Sequence, residues 1–518
     1  MKKDLFFSVA FIAIITLLFL VSPVLSSNVL QPQQGGTLRI ITDRFPTVFG
    51  NPKEYSGSNG PMRECLESLT TLDEQGNLVP NLATSYDVDT AKKIITLHLR
   101  KAVKFHDGTD FNAAAVKWNF EQYLEANKIN GGRFIKSIET TDDFTLKLYL
   151  SQYSPVFLGS YTFSPSIFSP TAVQTMGLEK SRTRPVGTGP YKFSGYVRDS
   201  YVKFERFDGY WQGRPPLDGI EFRFIPDPMA AAASMQSGEA DAWFTNTGLP
   251  LKETRDLLQK GYKTNYFQAW FGCLIPDSAN LDSSYSKKGV REAVEYAIDK
   301  AAIAKALGYG FMEPLTQLAF STSLGYNKND KGRLYNPAKA KQLLSDSGYA
   351  NGFKTKITVL ASSFYRDIAV AIQGYLAAVG IDAQLDVADT ARFNTLTQST
   401  GGKSTWNNGL ILVNLPVDPG MSFIPQFLRV FAAGARYPSL ARSPEFNKIV
   451  DTINSTDSDR ELVKLCQQMV AQASNDQLVV PVLALPDHIL YQKYVHASYF
   501  TIPSPGVWPA YKDWMEKK

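Results

Sequence analysis

Apolar and polar positions alternate in short stretches through the first half of the chain. In "KIITLHLR", Ile95, Leu97 and Leu99 alternate with Thr96, His98 and Arg100, the period of a strand with one buried face. "DFTLKLYL" at 143–150 repeats that pattern, and "GGTLRIIT" at 35–42 reads as an opening strand after a Gly pair. Val116, Phe120 and Tyr123 fall on one face of a helix near 113–125, with Asn112 in position to cap it. Residues 80–150 therefore predict a small sheet with one intervening helix. Between 186 and 225, "VGTGPYKFSGYV", "YVKFERF" and "GIEFRFI" predict strands punctuated by Gly and Pro. "DPMAAAASMQSGEADAW" then predicts a helix leading into another strand.

From 289 onward the pattern changes to long helices alternating with strands. "KGVREAVEYAIDKAAIAKAL" places Val290, Val294, Ala297, Ile298 and Ala301 on one helical face. "NPAKAKQLLSDSGY" carries Asn336 as a cap, Pro337 at the first helical position and Gly348 as terminator. "KTKITVLAS", "RDIAVAIQGYLAAVG" and "IDAQLDVAD" give strand, helix and strand, with Ile368, Ile372, Leu376 and Val379 at helical spacing. Such a βαβ unit implies a parallel pair with a right-handed crossover. The whole predicts two α/β lobes joined near 260–275, with a mixed subdomain inserted in the first.

Length and composition change this picture little. The 518 residues suit roughly three domains at about 150 residues each. A chain 44% hydrophobic and 20% charged folds rather than staying disordered. Aromatics make up 12%, enough to build a large core and also line a ligand cleft. A net charge of +5, with no Lys/Arg run of five, argues against nucleic acid as partner. The N-terminus is more telling. Lys2 and Lys3 precede the apolar run "LFFSVAFIAIITLLFLV", and Pro23, Ser26 and Ser27 follow, the order of a secretory signal. Residues 1–26 are expected to be a signal peptide cleaved after Ser26, or an uncleaved N-terminal anchor. No Cys stands near the end of the run, so a lipoprotein anchor is not available. Cys65, Cys273 and Cys466 are scattered and odd in number; two of them can pair in an exported protein, and buried free thiols are the expectation.

Catalytic signatures are sparse. There is no G-x-S-x-G, H-E-x-x-H, C-x-x-C or G-x-G-x-x-G. Gly402-Lys403-Ser404 mimics the tail of a P-loop, but Thr397 stands where its first Gly belongs and a strand follows. The histidines are His98, His106, His488 and His496, and two of them lie in or beside apolar strands. That leaves little for a triad or a metal site. The pair His106-Asp107 falls in "VKFHDGTDF", where Asp107-Gly108 supplies a turn, Phe111 anchors it and Asn112 caps the next helix. A corner of the fold is the expected role.

"LVPNLATSYDV", followed by "KIITLHLRKAVKFHDGTDFNAAAVKWNFE", resembles the signature of the dipeptide/oligopeptide/nickel family (family 5) of extracytoplasmic solute-binding proteins, the receptors of ABC importers. The match continues in order through "RPVGTGPYKFSGY", "FDGYWQGRPPLDGIEFRFIPD", "MQSGEADAW", "VREAVEYAIDKAAIAKALGYG" and "YNPAKAKQLLSDSGY". The resemblance implies an α/β, two-lobed periplasmic-binding-protein-like fold (type II, peptide-binding subclass) with an extra α+β subdomain inserted in lobe I. Lobe I would comprise 28–80, 183–265 and 485–518, the insert 81–182 and lobe II 270–480, with crossing strands near "YFQAWFG" and "LVVPVLAL".

It further implies a monomeric, non-enzymatic receptor without cofactor or metal, working outside the cytoplasm with a membrane permease and ATPase. In peptide-binding members an Asp four residues before the Pro of a D-P pair holds the ligand ammonium; here the pair is Asp418-Pro419 and that position is Leu415. Nickel-type members carry a His after the pair, where this chain has Gly420. Arg366 stands where dipeptide-type members carry an Arg for the ligand carboxylate, before a helix whose N-terminus adds positive potential. Trp270, Trp406 and Phe45 are candidates to stack on the ligand, and either tryptophan equally suits the core. The expected ligand is a peptide-like or other carboxylate-bearing small molecule. A nickel-chelate receptor, a solute sensor or chaperone on the same fold, and a secreted hydrolase stand as alternatives.

Overall fold

The computed structural model describes residues 31–43, 48–55, 60–73, 76–244, 250–361, 363–397, 406–417, 423–434, 436–498 and 510–516. The segment 1–26, Phe45, Gly402-Lys403-Ser404 and Asp418 to Gly420 lie outside them. In chain order, strand β1 (Thr37–Thr42) is followed by β2 (Ala83–Asp89), β3 (Ile94–Leu99), helix α1 (Ala113–Glu125), β4 (Ile135–Asp142) and β5 (Thr145–Leu150). Strands β6 (Tyr191–Val197), β7 (Tyr201–Arg206) and β8 (Gly219–Phe224) precede α2 (Pro228–Ser237), β9 (Ala242–Phe244), α3 (Leu251–Gln259) and the long β10 (Lys263–Pro276).

Next come α4 (Lys288–Ala297), α5 (Lys300–Leu307), α6 (Pro337–Asp346), β11 (Phe353–Leu360), α7 (Ser363–Ala377), β12 (Ile381–Ala388) and β13 (Gly409–Pro416). Helices α8 (Phe423–Phe431), α9 (Pro444–Ser455) and α10 (Asp459–Asn475) lead to the long β14 (Val480–Tyr491).

One sheet runs β6-β7-β8-β1-β9-β14-β10-β13-β11-β12. At one end β1 lies parallel to β8 and β9; at the other, β11 lies parallel to β12 and β13. Between them β10 and β14 pair antiparallel over most of their length, so two chain segments join the halves. The pairing is interrupted between Gln268 and Trp270 and between Gly272 and Cys273, and each interruption re-aims the side chains beyond it.

A second, antiparallel sheet of order β2-β3-β5-β4 carries α1. Its alternation is as the sequence predicts: Ile95, Leu97 and Leu99 on β3, and Leu146, Leu148 and Leu150 on β5, are buried. Asn112 caps α1, its side chain accepting from the Ala115 N–H at 2.9 Å, a contact worth about 1 kcal/mol. His106 and Asp107 close the corner before that helix. The Gly187 N–H donates to His106 Nδ1 at 3.4 Å, so Nε2 carries the proton and donates to the Gly189 carbonyl at 2.9 Å. Burial pushes this imidazole down to about 4, keeping it neutral. Asp107 accepts from the Thr109 N–H at 3.0 Å and from Ser169 Oγ at 2.5 Å. His106 therefore ties the insert to the 187–189 turn, while Asp107 braces the corner within the insert.

Two sequence expectations change. The periodic stretch 289–307 is broken into α4 and α5, because Ile298 adopts extended angles and Asp299 caps the second helix by accepting from the Ala302 N–H at 2.9 Å. The break is clamped by a buried cluster: Lys300 Nζ donates to Glu295 at 2.7 Å and to the Leu315 carbonyl at 3.0 Å, and Gln477 Nε2 donates to Glu295 at 2.5 Å. Helix α7 begins at Ser363, so Arg366 lies inside it rather than before it. Phe364 and Tyr365 extend the apolar stripe of Ile368, Ala369 and Ile372 one turn upstream. Helix α6 follows prediction, with Asn336 accepting from the Lys339 N–H at 2.9 Å and Gly348 at φ +85° after its end.

Candidate functional site

The two halves of the sheet meet where β10, β13 and β14 run side by side. Trp270 pairs with Pro416 on one side and Leu485 on the other. A cavity of about 10 Å³, room for one water molecule, opens here between Trp270, Asn414, Leu485 and Pro486 of the sheet and Phe364 and Tyr365 of α7, with Leu251 of α3 at its edge. Its walls come from five elements far apart in sequence. The Trp270 indole N–H is buried and has no hydrogen-bond partner among the described residues, and the same holds for Gln268 Oε1 two residues before. Unsatisfied buried donors are rare in folded proteins and are expected where a ligand completes them.

Arg366 is exposed on the first turns of α7, directly after two cavity residues, Phe364 and Tyr365. Arg366 is not among the lining residues, whereas Trp270 is one of the walls of the cavity. Leu415 points away from it: the residue is 2% exposed in the large core and pairs with Phe271. Leu415 therefore supplies no charge and no lining. Trp406 is also 2% exposed, and its indole N–H donates to the Leu396 carbonyl at 2.8 Å. It is a core residue and not one of the cavity walls, since the chain itself satisfies its only polar group.

Strand β14 also carries two buried ionisable neighbours, Asp487 and His488. Burial, reinforced by the nearby Asp43 carboxylate, pushes Asp487 up to about 8, and its Oδ1 has no hydrogen-bond partner among the described residues. Burial pushes His488 down to about 3; Thr254 Oγ1 lies 3.1 Å from its Nε2, and Phe311 stacks on the ring at 5.5 Å. Both side chains are held neutral on the strand that joins the sheet halves. Residues Phe364, Tyr365, Asn414 and Asp487 carry no motif, and only the crossing of strands reveals them. Among the described residues no group of three or more His, Cys, Asp or Glu side chains is arranged to hold a metal ion. Cys65, Cys273 and Cys466 are all free and buried.

Across from this junction the insert touches the helical end of the second half. Gln152 Nε2 donates to the Asn454 carbonyl at 2.7 Å, and Ser154 Oγ donates to the Ile453 carbonyl at 3.2 Å, both at the end of α9.

Comparison with known proteins agrees with this architecture. Residues 77–424 match the family model for the middle region of bacterial extracellular solute-binding proteins, family 5. The glutathione-binding protein GsiB of Escherichia coli (strain K12) is 32% identical over 386 residues, covering 70% of this chain and 72% of that protein. The periplasmic binding protein DppA of Helicobacter pylori, solved in complex with the peptide STSA, superposes with a TM-score of 0.78 at 24% identity, covering 94% of this chain and 99% of that one. AgaA from A. tumefacien R10, solved with agropinic acid, superposes with a TM-score of 0.74 at 25% identity, covering 93% and 99%. The two-lobed α/β architecture and the family model together show that the chain belongs to family 5 of the bacterial extracellular solute-binding proteins, the ligand-capturing components of ABC importers.

Proposed function

We propose that the chain is exported, with 1–26 as its signal or anchor, and closes on a small, peptide-like, carboxylate-bearing solute outside the cytoplasm. Lobe I is then formed by 28–80, 183–265 and 485–518 with 81–182 inserted, and lobe II by 270–480. The observation that carries this reading is the junction of β10, β13 and β14, where Trp270, whose indole N–H has no partner among the described residues, lines a cavity, and the exposed Arg366 follows the lining residues Phe364 and Tyr365 in α7. Both are donors, and a ligand carboxylate accepts from donors. The relatives fit that chemistry, since one is named for glutathione, one was solved with a peptide and one with agropinic acid. Ligand shifts the population toward closure only through contacts made with both lobes at once. The permease then reads the closed form, and the chain acts as monomer.

Two measurements test this. Native mass spectrometry of the purified mature chain should reveal a bound small organic acid, which is then titrated by calorimetry. Arg366→Ala should raise its Kd about tenfold, the lower range for an exposed charge-assisted contact. Equal affinity for parent and variant removes Arg366 from the site. Absence of any adduct, together with no heat from glutathione or a tetrapeptide, overturns the receptor reading itself.

The contacts of Gln152 and Ser154 with α9 link segments assigned to opposite lobes. Each such bond contributes about 0.5–1.5 kcal/mol net. The double variant Gln152→Ala, Ser154→Ala should therefore weaken ligand binding about tenfold and enlarge the ligand-bound radius of gyration seen by small-angle scattering. An unchanged Kd would show that the two bonds do not hold the closed form.

A further inference from the structure

A second cavity, of about 390 Å³, lies entirely among segments of lobe I and the insert. No residue of β10 or of 270–480 lines it, so it is separate from the inter-lobe junction. Its volume falls in the range that takes small organic ligands.

Two arginines line it. Arg63 Nη1 donates to Ser68 Oγ at 3.2 Å, and its guanidinium lies 5.4 Å from the Phe163 ring centre. Arg100 Nε donates to the Asn81 carbonyl at 3.0 Å, and its guanidinium lies 4.1 Å from the Trp211 ring centre. Asn81 in turn donates to the Ser68 carbonyl at 2.9 Å, so one short chain of contacts fixes both arginines on the same wall. Among the described residues neither makes an ion pair, and each guanidinium keeps most of its five N–H donors free.

The carboxylate in the lining, Glu67, is already committed. It accepts from Tyr210 OH at 3.0 Å, from Thr188 Oγ1 at 2.8 Å and from the Trp211 indole N–H at 3.0 Å. Burial pushes it up to about 7, so at neutral pH it is only about half ionised, and its oxygens are already taken by these three donors. Two half-buried guanidinium groups that make no ion pair among the described residues carry a desolvation cost that an oxyanion relieves. Arg100, with Nε occupied and its plane held against Trp211, presents its two terminal nitrogens as a fork, the geometry that grips a carboxylate or phosphate.

We propose that this cavity is a second ligand site, taking a small organic oxyanion whose charged end sits between Arg63 and Arg100 and whose apolar body rests on Phe163 and Trp211. Because its walls come from lobe I alone, occupancy does not require closure of the lobes.

The test uses the full mature chain with para-fluorobenzoate, followed by fluorine NMR, and inorganic phosphate as a competing arm. Fluorobenzoate should broaden on adding protein, and Arg100→Gln or Arg63→Gln should each weaken binding about tenfold, with thermal melting used to verify folding. If phosphate displaces the probe, the charged end alone supplies most of the affinity; if not, the apolar body contributes. The site is overturned if the parent gives no broadening up to about 10 mM probe, or if both folded variants bind like the parent.

Discussion

Raising the pH from 5 to 8 should cost the parent chain stability that an Asp487→Asn variant retains. In the folded chain Asp487 is buried beside the Asp43 carboxylate and keeps its proton up to about pH 8, whereas an unfolded Asp loses its proton near pH ~4. Across that interval the unfolded state binds fewer protons than the folded one. Stability that is present below pH ~4 is therefore lost progressively as pH climbs toward the folded value, on the order of 1 kcal/mol per pH unit from this group. Asn carries no proton to lose, so the variant gains on the parent at each step upward. Urea midpoints of both proteins at three pH values measure this directly. A difference between them that does not change with pH would show that Asp487 ionises freely in the native state.

The Glu295–Lys300 pair should give the largest loss from a single substitution. Side-chain exposure is 2% for Glu295 and 7% for Lys300, and Arg333 Nη1 lies 3.5 Å from the same carboxylate. Glu295→Ala leaves Lys300 buried against one carbonyl and near a second cation, at a cost of about 3–5 kcal/mol. The double variant Glu295→Ala, Lys300→Met removes both charges and should recover much of that loss. Denaturant unfolding of the two singles and the double closes the cycle. Additive losses would mean that the pair is uncoupled and that packing alone sets the effect. The clamp matters beyond its own energy because it spans the break between α4 and α5 and reaches Gln477, next to the start of β14.

Where the chemistry is local, the sequence was a good guide. Helix α1 runs over the range its periodicity predicts, because cap, apolar stripe and turn all lie within a few residues. The βαβ unit of β11, α7 and β12 has the parallel pairing expected of it. Where the sequence failed, a distant contact had intervened. Nothing local in 289–307 announces the break at Ile298, since the buried Glu295, Lys300 and Gln477 cluster that accompanies it draws Gln477 from 182 residues further along the chain. Trp406 offers the same lesson, as the acceptor for its indole N–H is a carbonyl ten residues earlier in another element.

The candidate site shows the limit most clearly. Family membership was legible from the order and spacing of several blocks, and Trp270 and Arg366 were named from it. The meeting of Trp270 with Phe364, Tyr365 and Asn414 was not legible, because cavity walls are set by how strands cross and where the ladder slips at Gln268. The neutrality of Asp487 and His488 belongs to the same class, as does the lack of an ion pair at Arg63 and Arg100 among the described residues. By itself the sequence determined the family and those elements, such as α1 and the strands and helix of the βαβ unit, whose periodicity, capping and turn chemistry lie within short spans. Only the tertiary structure decided which polar groups are buried without partners, because desolvation depends on neighbours brought in from anywhere along the chain.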